Sequence, residues 1–144
     1  MEKALLVSVV LKTDKHHWRS EDISSELEEL AVSAGVEVIE NIISICDKAT
    51  ANYLIGKGKV EEISSIVNEG VVDTVIFSHD LSGTQQRNLE AALGKKTIDR
   101  TQLILDIFSR RAKSPEGKMQ VELAQLQYLL PRLVGKGILL SRLG

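Results

Sequence analysis

With 144 residues, 43% of them apolar and 26% charged, the chain has the size and composition of one folded domain with at most an appendage, which excludes a disordered tail. No apolar run approaches the ~18 to 20 residues of a spanning helix, and the N-terminal MEKALLVSVVLKTDKHH lacks a small-residue cleavage site, so a cytoplasmic location without a membrane span is expected. The net charge of −2 conceals an asymmetry: residues 1–109 hold 11 Lys and Arg against 18 Asp and Glu, whereas residues 110–144 hold 7 against 2, which directs the search for a basic partner-facing surface to the C-terminal end.

Ala4 to Leu11 (ALLVSVVL) is a nearly continuous aliphatic run of strand length, suited to a strand covered on both faces. After a polar loop, Ser20 is placed to cap a helix with Glu21 and Asp22 in its first turn. Ile23, Leu27, Leu30 and Ala34 recur along it before Gly35 ends it. Val36 to Ile45 reads as a second strand, in which Cys46 lies at the end as a small apolar residue. Val60, Ile63 and Val67 give the next helix one apolar face up to Gly70, and Val71 to Phe77 reads as the third strand. Ser82 with Gln85 forms a capping-box pattern for a helix running through Leu89 and Leu93 to Gly94, and Lys96 to Ile98 is a short fourth strand. This alternation predicts an α/β fold over residues 1–99: a small parallel sheet of about four strands, joined by right-handed crossovers and flanked by helices.

From Arg100 the pattern is helical only. Leu103, Ile104, Ile107 and Phe108 make one apolar face, and Ser114-Pro115-Glu116 supplies a new helix start. Met119, Leu123, Leu126, Leu130 and Leu133 follow at spacings of 4, 3, 4 and 3, a heptad seam, with Pro131 expected to kink or end the helix. Residues 100–144 thus read as a helical arm, the first half of an antiparallel two-helix coiled-coil hairpin. The seam needs a partner, and Gly135 to Gly144 reads as a loop. The chain is therefore expected to be a fragment cut inside a helix–loop–helix arm, with pairing between two copies through the seam as one outcome.

Tyr53 to Val60 is the one glycine- and lysine-rich segment leading into a helix, where free N–H groups could receive a phosphate. It is not a Walker A loop: Gly58-Lys59 is preceded at the required distance by Tyr53 and followed by Val60. A structural turn with a helix cap and an anion contact through Lys57, Gly58 and Lys59 both stay open. Ser78, His79 and Asp80 are consecutive, so their side chains diverge and read as a turn rather than a hydrolase triad. His16-His17-Trp18 lacks the spacing and carboxylates of a zinc site, and the single cysteine excludes both a disulfide and a cysteine-based one. Asp99 and Asp106 make no acid–base pair, and Asp99 reads as a helix cap. Aromatics at 3% exclude a base-stacking sheet. Arg110, Arg111, Lys113, Lys118, Arg132, Lys136 and Arg142 concentrate positive charge on an arm with few acids, and phosphate-backbone contact is the preferred reading over ordinary solvated helix charge.

Several long segments together resemble one family. They are Tyr53 to Lys59, Leu81-Ser82-Gly83-Thr84-Gln85-Gln86-Arg87-Asn88-Leu89-Glu90, Asp99-Arg100-Thr101-Gln102-Leu103-Ile104-Leu105-Asp106-Ile107-Phe108, Gln120 to Leu126, and Leu130-Pro131-Arg132-Leu133. In this order they resemble the N-terminal region of HflX-type ribosome-associated GTPases. The resemblance implies a cytoplasmic, stress-response protein in which an α/β domain and a two-helix arm precede a GTP-binding domain. It implies a large-ribosomal-subunit partner, contacted through rRNA, and in some members the splitting of stalled ribosomes. GTP and magnesium belong to the domain that Gly144 precedes, so no cofactor residue and no catalytic residue carry over, and no GTPase activity is expected of this chain alone. The alternative is a nucleotide-binding α/β domain that uses the Gly56 to Lys59 turn itself, as suggested for some relatives.

Overall fold

A run of buried aliphatic residues places β1 (Lys3–Leu11) at the centre of a four-stranded sheet, seen in a computed structural model that describes residues 1–14 and 19–133. The remaining elements are α1 (Ser20–Ser33), β2 (Glu37–Cys46), α2 (Lys57–Glu69), β3 (Thr74–Phe77), α3 (Gly83–Leu93), β4 (Lys96–Ile98), α4 (Arg100–Arg111) and α5 (Pro115–Leu133). The strand order is β2-β1-β3-β4 and every pairing is parallel. Leu11 pairs with Cys46 on one side, Val7 with Phe77 on the other, and Ile76 with Ile98 beyond. The chain leaves β1 for β2 and later returns to place β3 on β1's opposite side, so the order reverses between β1 and β3.

Successive residues of β1 point to opposite faces, and each face has its own core. Leu5, Val7 and Val9 pack with Val60, Ile63 and Val67 of α2 and Leu89 and Leu93 of α3. Ala4 and Leu6 pack with Leu27 and Ala31 of α1 and Leu103 and Ile107 of α4. The sheet is therefore covered on both sides, as the unbroken aliphatic sequence of β1 requires. α4, grouped with the arm in the sequence reading, places its apolar face in the core of the α/β layer.

Local signals set most boundaries. Ser82 caps α3 in a full capping box with Gln85, and Gly94, at φ +68°, ends it in the left-handed conformation that glycine adopts without strain. Asp99 caps α4 by accepting from Gln102 N. Three expectations differ. Ser20 is the first residue of α1 rather than its cap; Arg19 holds the cap position and makes no side-chain cap bond. β3 starts at Thr74, not Val71, because Asp73 is drawn out of register: its carboxylate accepts from Lys3 N while its own N–H donates to Lys3 O. Pro131 does not end α5, which runs two residues further; this last turn is tied to the α/β layer through Arg132, as described below.

Candidate functional site

α5 follows α4 after three residues and runs back along it. Its first turn is capped by Ser114, whose hydroxyl accepts from Gly117 N. The helix does not dock through the heptad seam. Met119, Leu123, Leu126 and Leu130 stay 52–68% exposed, and the helix instead turns toward the α/β layer a second stripe, Val121, Gln125, Tyr128 and Arg132, at spacings of 4, 3 and 4.

The joint is polar and centred on Asp99, which is 2% exposed. Its carboxylate accepts from Leu81 N at 2.9 Å, from Gln102 N at 3.0 Å and from the Tyr128 hydroxyl. The Arg132 guanidinium stands 3.7 Å away and donates to Leu81 O at 2.7 Å and to Tyr128 O at 2.8 Å. It also stacks on the Tyr128 ring, 3.4 Å from the centroid. Arg87 of α3 closes the ring by donating to Arg132 O at 2.9 Å. The backbones approach so closely that a Cβ on Gly83 would lie 3.1 Å from Arg132 Cα, which is why glycine opens α3 here. Burial, then the hydrogen bond to Asp99, raise the Tyr128 pKa well above its ordinary value, with Arg132 opposing.

The residues expected to meet phosphate fall into three groups. Arg110, Arg111, Lys113 and Lys118 are all exposed around the α4–α5 turn; Arg110 also lies against the backbone of Gly35, where a Cβ would meet its guanidinium at 2.7 Å. Arg132 is turned inward, its side chain 15% exposed and engaged at the joint. Lys136 and Arg142 lie outside the described residues, as do His16, His17 and Trp18. Tyr128 and Arg87 were missed, although the 121–125–128–132 spacing marks a helix face as clearly as the seam does.

Near the other edge of the sheet, beyond β2, Gly56 holds the cap position of α2 with no side-chain bond, and Lys57 and Gly58 form its exposed first turn. Lys59 pairs with Glu62 at 3.0 Å. A cavity of about 370 Å3 opens beside them, lined in part by Ser44, Cys46, Thr50, Gly56 and Lys59. A second, of about 250 Å3, lies at the C-terminal ends of β1 and β3 where the strand order reverses, between Val9, Ser78, His79 and the Arg100–Glu26 ion pair. The Gly56–Lys59 turn does not fit a GTP–magnesium cradle. Lys59 is bound to Glu62, no hydroxyl residue follows it, and among the described residues no three acidic, histidine or cysteine side chains cluster to hold a metal. Among the same residues no helix is long and apolar enough to cross a membrane.

Two family models divide the chain in the last turn of α4. One, described as GTP-binding GTPase N-terminal, matches residues 21–109, and the other, GTP-binding GTPase Middle Region, matches residues 111–144. The GTPase HflX of Caldanaerobacter subterraneus is 50% identical over 143 residues, which cover 99% of this chain and 32% of that protein. The chain belongs to the HflX family of GTPases. The HflX proteins of Alkalihalophilus pseudofirmus and Escherichia coli are 47% and 45% identical, over 100% and 92% of this chain and 34% and 30% of their own lengths. This HflX chain thus spans about a third of the curated relatives it matches, and corresponds to their N-terminal region. Among solved structures, a crystal structure titled as an SsGBP and GDP complex is similar with a TM-score of 0.75 and 27% identity, over 99% of this chain and 40% of that one. A GTP-binding protein from Sulfolobus solfataricus in complex with GDP matches with a TM-score of 0.72 and 26% identity, over 96% and 40%.

Proposed function

We propose that this chain is the ribosome-docking N-terminal part of an HflX-type GTPase: an α/β body over residues 1–99 and an arm over residues 100–144 that binds rRNA of the large subunit. The whole protein acts in the cytoplasm on ribosomes, splitting stalled ones, and leaves GTP and magnesium to its separate GTP-binding domain. The observation that carries the docking reading is the exposure of Arg110, Arg111, Lys113 and Lys118 together around the α4–α5 turn. Such cations displace counterions from a phosphate backbone, so binding weakens as salt rises. Arg132, engaged with Asp99 and Leu81, contributes to the docking of the arm rather than to this surface, and Lys136 and Arg142 lie outside the described residues.

The test is sedimentation of the chain with purified large subunits across a salt series. Changing Arg110, Arg111 and Lys118 together to Ala should weaken binding and flatten the salt slope while the circular dichroism stays unchanged. Unaltered binding at the same slope would remove the α4–α5 turn as the anchor.

A second reading, direct nucleotide binding, draws on the cavity beside Gly56 and Lys59. Titration with ATP and GTP separates the two: saturable binding lost in Lys57→Ala plus Lys59→Ala supports a nucleotide site, and no binding leaves the docking role alone.

A further inference from the structure

We propose that the outer edge of β2 is a docking site for an extended segment of a basic protein, one in which aliphatic and basic side chains alternate and which adds to the sheet as a further strand.

The two edges of the sheet are built differently. β4, at one end, is three residues long, and its outward carbonyl, Thr97 O, is taken by the Gln86 amide at 2.8 Å. Short strands and covered edges are how folded proteins keep foreign strands from pairing. β2, at the other end, runs for ten residues, and no strand pairs with its outer side among the described residues. Lys12 N donates to Cys46 O at 2.9 Å, so the Cys46 backbone faces β1. Successive residues alternate, and the N–H and C=O groups of Ile45, Ile43 and Asn41 therefore point away from the sheet. The one irregularity, a register shift opposite Ala4 and Leu5, precedes this stretch. From Glu40 to Cys46 there is neither proline nor lysine to blunt the edge.

The side chains state what would cover it. Ile43 and Ile45 stand beside Ser8 and Val10 on the α1 face and are 40% and 62% exposed. A strand laid antiparallel along the edge bonds to these two residues through the backbone opposite them, and aliphatic side chains at those positions cover the isoleucines. Its intervening side chains fall on the other face, where Glu40 stands beside Leu5.

Charge selects the partner. Glu40 is exposed, and Glu28 of α1 stands 3.2 Å from the Asn41 amide, so acids flank the middle of the edge on both faces. The nearby cations lie at its two ends. Lys3 beside Glu37 and Arg110 beside Gly35 are at one; Lys48 and Lys12, the latter paired with Asp47 at 3.2 Å, are at the other. Over residues 1–109 the chain carries 18 Asp and Glu against 11 Lys and Arg, a field that draws a basic segment and repels an equally acidic second copy.

Amide hydrogen exchange of the whole chain, followed by NMR with acetyl-(Val-Lys)4-amide, tests this. Saturable binding that slows exchange at Asn41, Ile43 and Ile45 at least tenfold is expected. The same peptide N-methylated at its valines, and acetyl-(Val-Glu)4-amide, should each bind at least tenfold more weakly. Ile43→Pro removes one outward N–H and none from the β1 ladder, so the variant should keep the parental circular dichroism and bind the lysine peptide at least tenfold more weakly. Glu40→Lys, at an exposed position, leaves the edge intact and should weaken the lysine peptide while tightening the glutamate one. Absence of saturable binding, undiminished binding of the N-methylated peptide, exchange slowed only elsewhere, or an unchanged peptide preference in Glu40→Lys would overturn the assignment. Self-association of the chain that Ile43→Pro abolishes would also overturn it, putting a second copy in place of the basic segment.

Discussion

The Tyr128 hydroxyl of α5 donates to the same carboxylate, Asp99, that caps α4 and receives the Leu81 N–H. One buried side chain therefore joins the loop before α3, the start of α4 and the far end of α5. A carboxylate in this position loses its hydration and is stable only while its donors remain.

Tyr128→Phe keeps the ring beside Arg132 and removes one donor. A hydrogen bond to a charged group contributes about 1.5 to 3 kcal/mol, so the loss should lower the unfolding free energy read from urea titration by an amount of that order. It should also expose α5 to limited proteolysis ahead of the α/β body. Unchanged cleavage of α5 would show that Arg132 alone holds the arm.

Alkaline pH should act on the same contact. Tyrosine ordinarily titrates near 10, and in the folded chain Tyr128 is raised, first by burial and then by Asp99. A raised acid keeps its proton in the native state while the unfolded chain loses it, so the native state binds more protons and stability falls as pH rises through the unfolded value. Urea titrations between about pH 9 and 11 should show this decline, and Tyr128→Phe should reduce its slope. Equal slopes in the two proteins would mean that the hydroxyl is solvated.

The sequence carried the local part of this arrangement and not the long-range part. Asp99 was legible as a cap and Ser82-Gln85 as a capping box, because both motifs lie within four residues. The alternation of strand and helix segments from β1 to β4 likewise specified a parallel sheet before its order was known. What joins Asp99 to Tyr128 and Leu81 to Arg132 spans 29 and 51 residues, and no periodicity reports contacts at such separations. The docking stripe was also masked by composition: Gln125 and Arg132 are polar, whereas the purely apolar seam drew attention to the face that stays exposed. For the same reason Arg132 was read as a phosphate ligand, its type being right for one and its surroundings unknown.

Asp106 provides a second pH probe, on α4. Burial raises its pKa, while Lys96 and Arg110 oppose the rise. The folded chain therefore binds its proton more tightly than the unfolded chain does, and stability contributed by this group declines as pH rises from the ordinary carboxyl value of 3.8 through the raised one. Asp106→Asn should remove that component, giving a flatter stability profile in mildly acidic buffer and a small gain near neutrality. A parallel profile in the variant would show that the two cations fully offset the burial.

The exposed seam sets the last expectation. Met119, Leu123, Leu126 and Leu130 remain more than half exposed on an ordered helix whose other face is docked, so folding back does not relieve them. Fully burying such a side chain stabilises by about 1.5 to 3 kcal/mol, and four on one helix face make a continuous apolar strip. Two copies related by a two-fold axis present identical strips to each other, and the Tyr128–Asp99 joint need not open for them to meet. Sedimentation at rising concentration should show a dimer, and Leu123→Glu plus Leu126→Glu should convert it to monomer with the arm still protected from proteolysis. The protected arm matters to the interpretation, because it separates a broken interface from an undocked helix. A parent chain that stays monomeric at high concentration would instead leave the seam for a different partner helix.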